Sequence, residues 1–261
     1  MAKPHGIAYL NMPGYQGQSW NPVTGCTPVG AGCENCWAQS MAKRYGWPTE
    51  PTFHSERLNE SARWQKRRCV AVGFMGDLFH EDITDTRIGM IWRSMWNSSQ
   101  HRYLVLTKRP ERMADYLSSH PVYSSFRESF GFKSVWCGTS AWDQASADAN
   151  IPHLLRTPAA VRWLSLEPLL GPVDILSSLT GRVHEQHGDE FFLPDMHFIV
   201  IGCESGPSRR PCELEWVRSV VEQCAAAGVK CFVKQLDLDG RVSHDPAEWP
   251  EDLRVREYPD A

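Results

Sequence analysis

Cys26, Cys33 and Cys36 stand within eleven residues of one another in the stretch GCTPVGAGCENCWAQSMAKRYG. Thiolates are soft ligands for zinc and iron, and Cys33-x-x-Cys36 is a short chelating bite. The intervening TPVGAG carries the Gly and Pro of a loop supple enough to curl around a metal. The following WAQSMAKRYG reads as a helix, with Trp37, Met41 and Tyr45 on one side and Gly46 at its end. Cys36 then sits at a helix N-terminus, whose dipole and free N–H groups favour thiolates. A structural zinc site is closed by four ligands, and no fourth Cys or His stands at finger spacing; His54 is the nearest candidate. Three thiols on a loop suit a cluster with one iron left open.

The other six cysteines read as core. Cys69, Cys137, Cys203 and Cys231 lie in or beside apolar runs, Cys224 falls on the apolar face of a helix pattern, and Cys212 just precedes it. The 261 residues are 42% apolar and 22% charged, with a net charge of −4. That is enough for a packed core, and it argues against coating nucleic acid by charge alone. No run is long enough for a signal peptide or a bilayer span, so a cytoplasmic protein with reduced thiols is expected, with no membrane partner.

The elements that must position the cysteines follow from a rhythm of apolar runs. CVAVGF (69–74), YLVLT (103–107), SVWCGT (134–139), VRWLSL (161–166), HFIVIG (197–202) and KCFVK (230–234) do not alternate with polar residues, as expected of parallel strands buried on both faces. A short strand near Gln18–Asn21 feeds the cysteine loop. Helix periodicity lies between the runs, at Ile88, Ile91, Trp92 and Met95 and at Val217, Val220, Val221 and Cys224, with Gly228 as a stop; Pro110 opens another helix. The expectation is one α/β domain over 1–261, a partial TIM-like (β/α) barrel of about six to seven parallel strands. Its cysteine loop spans 25–46, its C-terminal extension 236–261, and Thr180–Asp195 reads as an insertion or mobile loop. Polar residues follow each run: Asp77, Lys108-Arg109, Ser140, Glu167, Glu204 and Lys234. In a barrel they ring one mouth.

SWNPVTGCTPVGAGCENCWAQSMAKRYG, together with FMGDLFHEDI, VLTKRPERM, IPHLLRTPAAVRWLSLEPLLGPV and VIGCESGPSRRP, resembles the pattern of a phage- and bacterium-borne family of unknown function described as radical SAM-like. The likeness runs from about Trp20 to Gln235. It implies a radical SAM type of partial barrel with a three-cysteine [4Fe–4S] cluster; wider kin, including spore photoproduct lyase, bind S-adenosylmethionine on the open iron and cleave it to a 5′-deoxyadenosyl radical. The spacing here is C-x6-C-x2-C, longer than the C-x3-C-x2-C of the common signature. With that cofactor, Cys26, Cys33 and Cys36 become the metal ligands. Asp77 is the first choice for the cofactor ammonium. Ser140, Glu167 and Glu204 are candidates for its ribose hydroxyls, and Lys108 or Arg109 for a carboxylate or phosphate. An external electron donor is implied.

For the substrate, nucleic acid or nucleotide is the candidate. Trp20, Trp37 and Trp142 lie near loops where bases could stack, and Arg63, Lys66, Arg67, Arg68 and Arg209-Arg210 could meet phosphates. Two alternatives stand beside this enzyme reading. One is a zinc-stabilised nucleic-acid-binding module using His54; the other is a non-catalytic iron–sulfur scaffold or electron carrier. Substrate, reaction outcome and oligomeric state are not legible in the sequence.

Overall fold

The six apolar runs and the short strand before the cysteine loop become seven neighbouring strands of one parallel array. The structure is a computed structural model and describes residues 5–119, 131–179, 183–186, 189–192 and 196–259. In chain order the elements are β1 (Gln16–Trp20), β2 (Val23–Thr24), α1 (Trp37–Tyr45), β3 (Thr52–Phe53), β4 (Arg68–Val72), α2 (Asp85–Asn97), β5 (Arg102–Thr107) and α3 (Pro110–Ser119). After these come β6 (Val135–Ala141), α4 (Gln144–Arg156), β7 (Val161–Leu166), α5 (Leu176–Leu179), β8 (Val183–Gln186), β9 (Asp189–Phe192), β10 (Phe198–Gly202), α6 (Leu214–Ala227), β11 (Lys230–Leu238) and β12 (Arg241–Ser243). The main sheet has the order β1-β4-β5-β6-β7-β10-β11-β12, parallel throughout except for the antiparallel β11–β12 edge. Strands β2 and β3 form a small antiparallel pair beneath the cysteine loop.

The sheet is curled into a half-barrel, compatible with the expected partial β/α barrel. The short turn Ala8–Leu10 touches β1, β4 and β11, bringing the two outer parallel strands around a common plug. Burial on both faces explains the uninterrupted apolar runs. Cys69, Ala71, Leu104, Trp136, Trp163, Phe198, Val200 and Phe232 meet on the concave side around Tyr9 and Leu10. Their neighbours Val70, Val72, Val105, Cys137, Leu164, Ile199, Ile201 and Val233 face the helices. Tyr9 lies 5.9 Å from the ring of Trp163 and 6.1 Å from that of Phe232. Gly138 leaves the space Trp163 fills, since a Cβ there would strike the indole.

Helix ends follow their local chemistry. Gly46 and Gly228 close α1 and α6 in the left-handed conformation, Thr84 caps α2, and Pro110 starts α3. Helix α4, which the periodicity did not reveal, begins with a capping box of Asp143 and Ser146 and carries Pro152 inside it. The boundary drawn at 236 falls inside β11, and the segment beyond it folds back: Val233 N–H donates to the carbonyl of Val255, while Trp249 and Leu253 are buried. Half of Thr180–Asp195 lies outside the described residues; what is described there is the separate antiparallel pair β8–β9. Among the described residues no helix is long and apolar enough to cross a membrane.

Candidate functional site

The carboxyl ends of the parallel strands open into a cavity of ≈ 760 Å³. Cys26, Cys33, Cys36, Asp77, Lys108, Ser140, Glu167, Glu204 and Lys234 all line it. The structure therefore brings every strand-end residue singled out in the sequence to the same mouth as the cysteine loop, the place where a barrel collects side chains from separate strands.

The loop is fastened to that mouth at several points. Gly25, at φ +77, pairs with Gly76 beyond β4, and a Cβ there would strike the carbonyl of Glu50. Cys26 N–H donates to the Thr49 carbonyl at 3.0 Å. Gly32 lies on the ring of Trp142, so close that any side chain would collide with the indole. Arg210 reaches across the mouth. Its Nη2 donates to the Ala31 carbonyl at 2.9 Å and to Glu204 Oε1 at 2.6 Å, and its Nη1 to Glu34 at 2.9 Å. Asn35 adds a bond to Glu204 at 3.0 Å. Cys36 is the N-cap residue of α1, and its thiol makes no capping bond.

On the opposite side Asp77 is nearly sealed from water and accepts four hydrogen bonds. They come from Phe79 N–H at 2.9 Å, Thr107 Oγ1 at 2.7 Å, Lys108 N–H at 3.2 Å and Arg109 Nη1 at 3.2 Å. Arg109 in turn lies 3.4 Å from Cys26 Sγ and 2.8 Å from Thr27 Oγ1, and it donates to Glu81 at 3.0 Å. The buried His80 ring meets Thr27 Oγ1 at 2.7 Å. Burial and the Asp77 carboxylate push the Cys26 thiol above its ordinary value, with the Arg109 guanidinium opposing them.

These contacts sort the candidates. Asp77 and Glu204 spend their oxygens on holding Arg109 and Arg210, so they position the loop rather than offering empty acceptors. Glu167 pairs with Lys234 at the cavity wall. Lys108 forms no ion pair among the described residues, and Ser140 is buried at the end of β6. His54 lines the cavity, but its ring is engaged by Thr24 Oγ1 at 2.8 Å and Glu56 at 3.2 Å. Among the described residues no three His, Cys, Asp or Glu side chains stand at metal-holding geometry. Cys26 Sγ meets the Thr27 carbonyl at 3.3 Å as well as Arg109.

Several sequence expectations are corrected. Trp20 and Trp142 are buried, the first with its N–H on the Arg57 carbonyl and the second under Gly30 and Gly32, so neither offers a face to a base. Arg67 and Arg68 enter β4 at the end of the sheet away from the cysteines, and Arg67 stacks over Tyr15. Arg210 is tied to Glu204 and Glu34 rather than free for a phosphate. The six remaining cysteines are buried, as expected; burial pushes Cys69, Cys137, Cys203 and Cys212 up to about 12. Sequence reading missed Thr107, Thr27, His80 and His244, which lie in or against the site; single polar residues at a strand end or in loops carry no periodic signal.

The Glu204 latch is expected to be acid-labile. Burial alone would raise its carboxyl, yet hydrogen bonds from Arg210 and Asn35 hold it below the ordinary 4.5. The folded state thus favours the ionised form. This contribution is complete above about pH 4.5 and disappears as pH falls through the lower folded value. Urea midpoints measured from pH 7 down to pH 3 should show Glu204→Gln losing less stability than the parent over that acid window. Parallel curves for the two proteins would refute the assignment.

A half-barrel α/β protein with a thiol-lined cavity at the carboxyl ends of its strands is the class these features define. Over residues 14–246 the chain matches the profile of the family described as "Protein of unknown function (DUF5131)", and it belongs to that family. No curated protein and no solved structure matched the chain.

Proposed function

We propose that this is an iron–sulfur protein that binds S-adenosylmethionine in the mouth of the half-barrel, a radical SAM enzyme in type. The observation that carries the reading is the shared cavity: three free thiols on one loop face the polar ends of the strands across ≈ 760 Å³. The donor chemistry fits, since three thiols supply soft ligands for all but one iron of a four-iron cluster. With that cluster bound, the cofactor pair would supply an electron to the sulfonium, with C–S cleavage to a 5′-deoxyadenosyl radical.

The residues of this chain have the remaining tasks. Cys26, Cys33 and Cys36 hold the metal centre. Lys108 offers an ammonium without an ion pair to a carboxylate, and Ser140 and Glu167 offer oxygens to hydroxyl groups. Asp77 and Glu204 act through Arg109 and Arg210, keeping the loop seated, with Trp142 packed beneath Gly30 and Gly32. Nine free cysteines, seven of them buried, suit the reducing cytoplasm, and reduction there needs an external electron donor.

The test is anaerobic iron–sulfur reconstitution followed by metal analysis and visible absorption. A brown protein carrying about four irons per chain is expected, with a spectrum that changes on adding S-adenosylmethionine and yields 5′-deoxyadenosine after dithionite. A colourless protein with one zinc would replace this reading by the zinc module. A brown protein whose reduced cluster ignores S-adenosylmethionine would leave the non-catalytic scaffold.

A further inference from the structure

Nine of the eleven tryptophans are buried or packed against the core, and the two exceptions stand together. Trp37 is 45% exposed and Trp47 is 46% exposed, and both line the cavity. Tyr45, 55% exposed, stacks on Trp47 with ring centroids 5.1 Å apart and planes 25° from parallel. Among the described residues the exposed large apolar side chains are Val29, Trp37, Tyr45, Trp47, Met90 and Leu176, so four of the six lie between Val29 and Trp47, on the cysteine loop, α1 and the residue just past its Gly46 stop. The core does not need these rings, and water disfavours them.

The same segment has a one-sided charge. From Trp37 to Thr49 the chain carries Lys43 and Arg44 and no acidic residue, in a protein whose net charge is −4. Arg44 extends over the face of Tyr45 at 5.6 Å. Exposed planar rings, interleaved with cations and continuous with a cavity that Trp37 and Trp47 line, match one ligand chemistry well: bases that stack and phosphates that pair.

We propose that the rim formed by Trp37, Tyr45 and Trp47 with Lys43 and Arg44 binds single-stranded nucleic acid and presents one nucleotide to the cavity. This names a substrate class for the chemistry proposed above and rests on that reading only for what happens to the nucleotide; binding at the rim stands on its own. A duplex keeps its base faces covered and cannot stack on the rim. A bilayer is a poorer occupant, because Trp37 and Trp47 form the wall of a concavity that a flat surface does not enter.

The experiment uses the full chain, as purified and after anaerobic reconstitution, with fluorescently labelled oligothymidylate and the matching oligouridylate. Fluorescence polarisation should report binding that weakens with salt, accompanied by quenching of tryptophan emission. Trp37→Ala and Trp47→Ala should each weaken binding roughly five- to a hundredfold, the range of base–aromatic stacking. Lys43→Ala/Arg44→Ala should make binding less salt-dependent, by about 1.4 in log–log slope for two phosphates on a single strand. Met90→Ala, exposed on α2, should change nothing. Unaltered melting temperatures would show that the variants fold. The inference is overturned by affinity that is unchanged in both Trp variants, by binding to neither oligonucleotide, or by preference for phosphatidylserine vesicles over both. Loss of oligonucleotide binding in a protein that still cleaves S-adenosylmethionine would sink the rim and spare the cofactor reading. Oligonucleotide binding by a protein that holds no cluster would do the reverse.

Discussion

Cys33→Ala is expected to abolish both the visible absorption of the reconstituted protein and any formation of 5′-deoxyadenosine. Cys33 lies in the short turn Ala31–Cys33, which is fastened by Arg210 and by the seat of Gly32 on Trp142. Truncating one small, mostly buried side chain there should lower stability by only about 1 kcal/mol. The protein should therefore remain folded while losing one of the three proposed metal ligands, and circular dichroism would establish that it folds. Cys137→Ala supplies the contrast. Its thiol is buried in β6 among the residues that face the helices, so the substitution should cost stability and leave iron loading intact. Full iron content and product in Cys33→Ala would remove the thiol cluster from the mechanism.

Asp77→Ala should be among the most damaging substitutions at the site. Four donors converge on this carboxylate, and one of them belongs to a guanidinium that is itself largely shielded from water. Removing the carboxylate leaves Arg109 only the exposed Glu81 as a counter-charge and takes the acceptor from buried Thr107, at a cost of about 3–5 kcal/mol. Urea unfolding at pH 7 should report a loss of that size. The double variant Asp77→Ala/Arg109→Ala should lose less than the two single variants added together, because the second change removes the stranded charge. In the reconstituted protein Asp77→Ala should keep some colour and bind S-adenosylmethionine weakly, since Arg109 would no longer be held between Asp77 and Cys26. An Asp77→Ala protein within about 0.5 kcal/mol of the parent, the range of an ordinary surface change, would show that the network does not hold the mouth together.

Much of the fold was legible because its signals are local. A strand buried on both faces must be apolar at successive positions, and the six runs that met this condition are six of the seven strands of the parallel array; the seventh, β1, is the short strand read near Gln18–Asn21. The stops at Gly46 and Gly228 and the start at Pro110 depend on backbone geometry that single residues dictate. Helix α4 escaped because Pro152, well inside it, interrupts the pattern of a helix. The β2–β3 pair and the plug of Ala8–Leu10 escaped because two or three residues carry no period.

The sequence by itself determined the parallel strands, their polar ends and the close spacing of three cysteines, since each is a matter of residue type at short range. Only the tertiary structure decided which of those polar ends face outward as acceptors and which are consumed. Asp77 and Arg109 are thirty-two positions apart, and Glu34 and Arg210 one hundred and seventy-six, yet each pair touches. The tryptophans divide in the same way. Trp20 and Trp142 look as loop-like as Trp37 in sequence, but neighbouring segments cover the first two and leave Trp37 and Trp47 open. Burial and pairing are properties of what the curled sheet brings alongside a residue, and a side chain's own type cannot specify its distant neighbours.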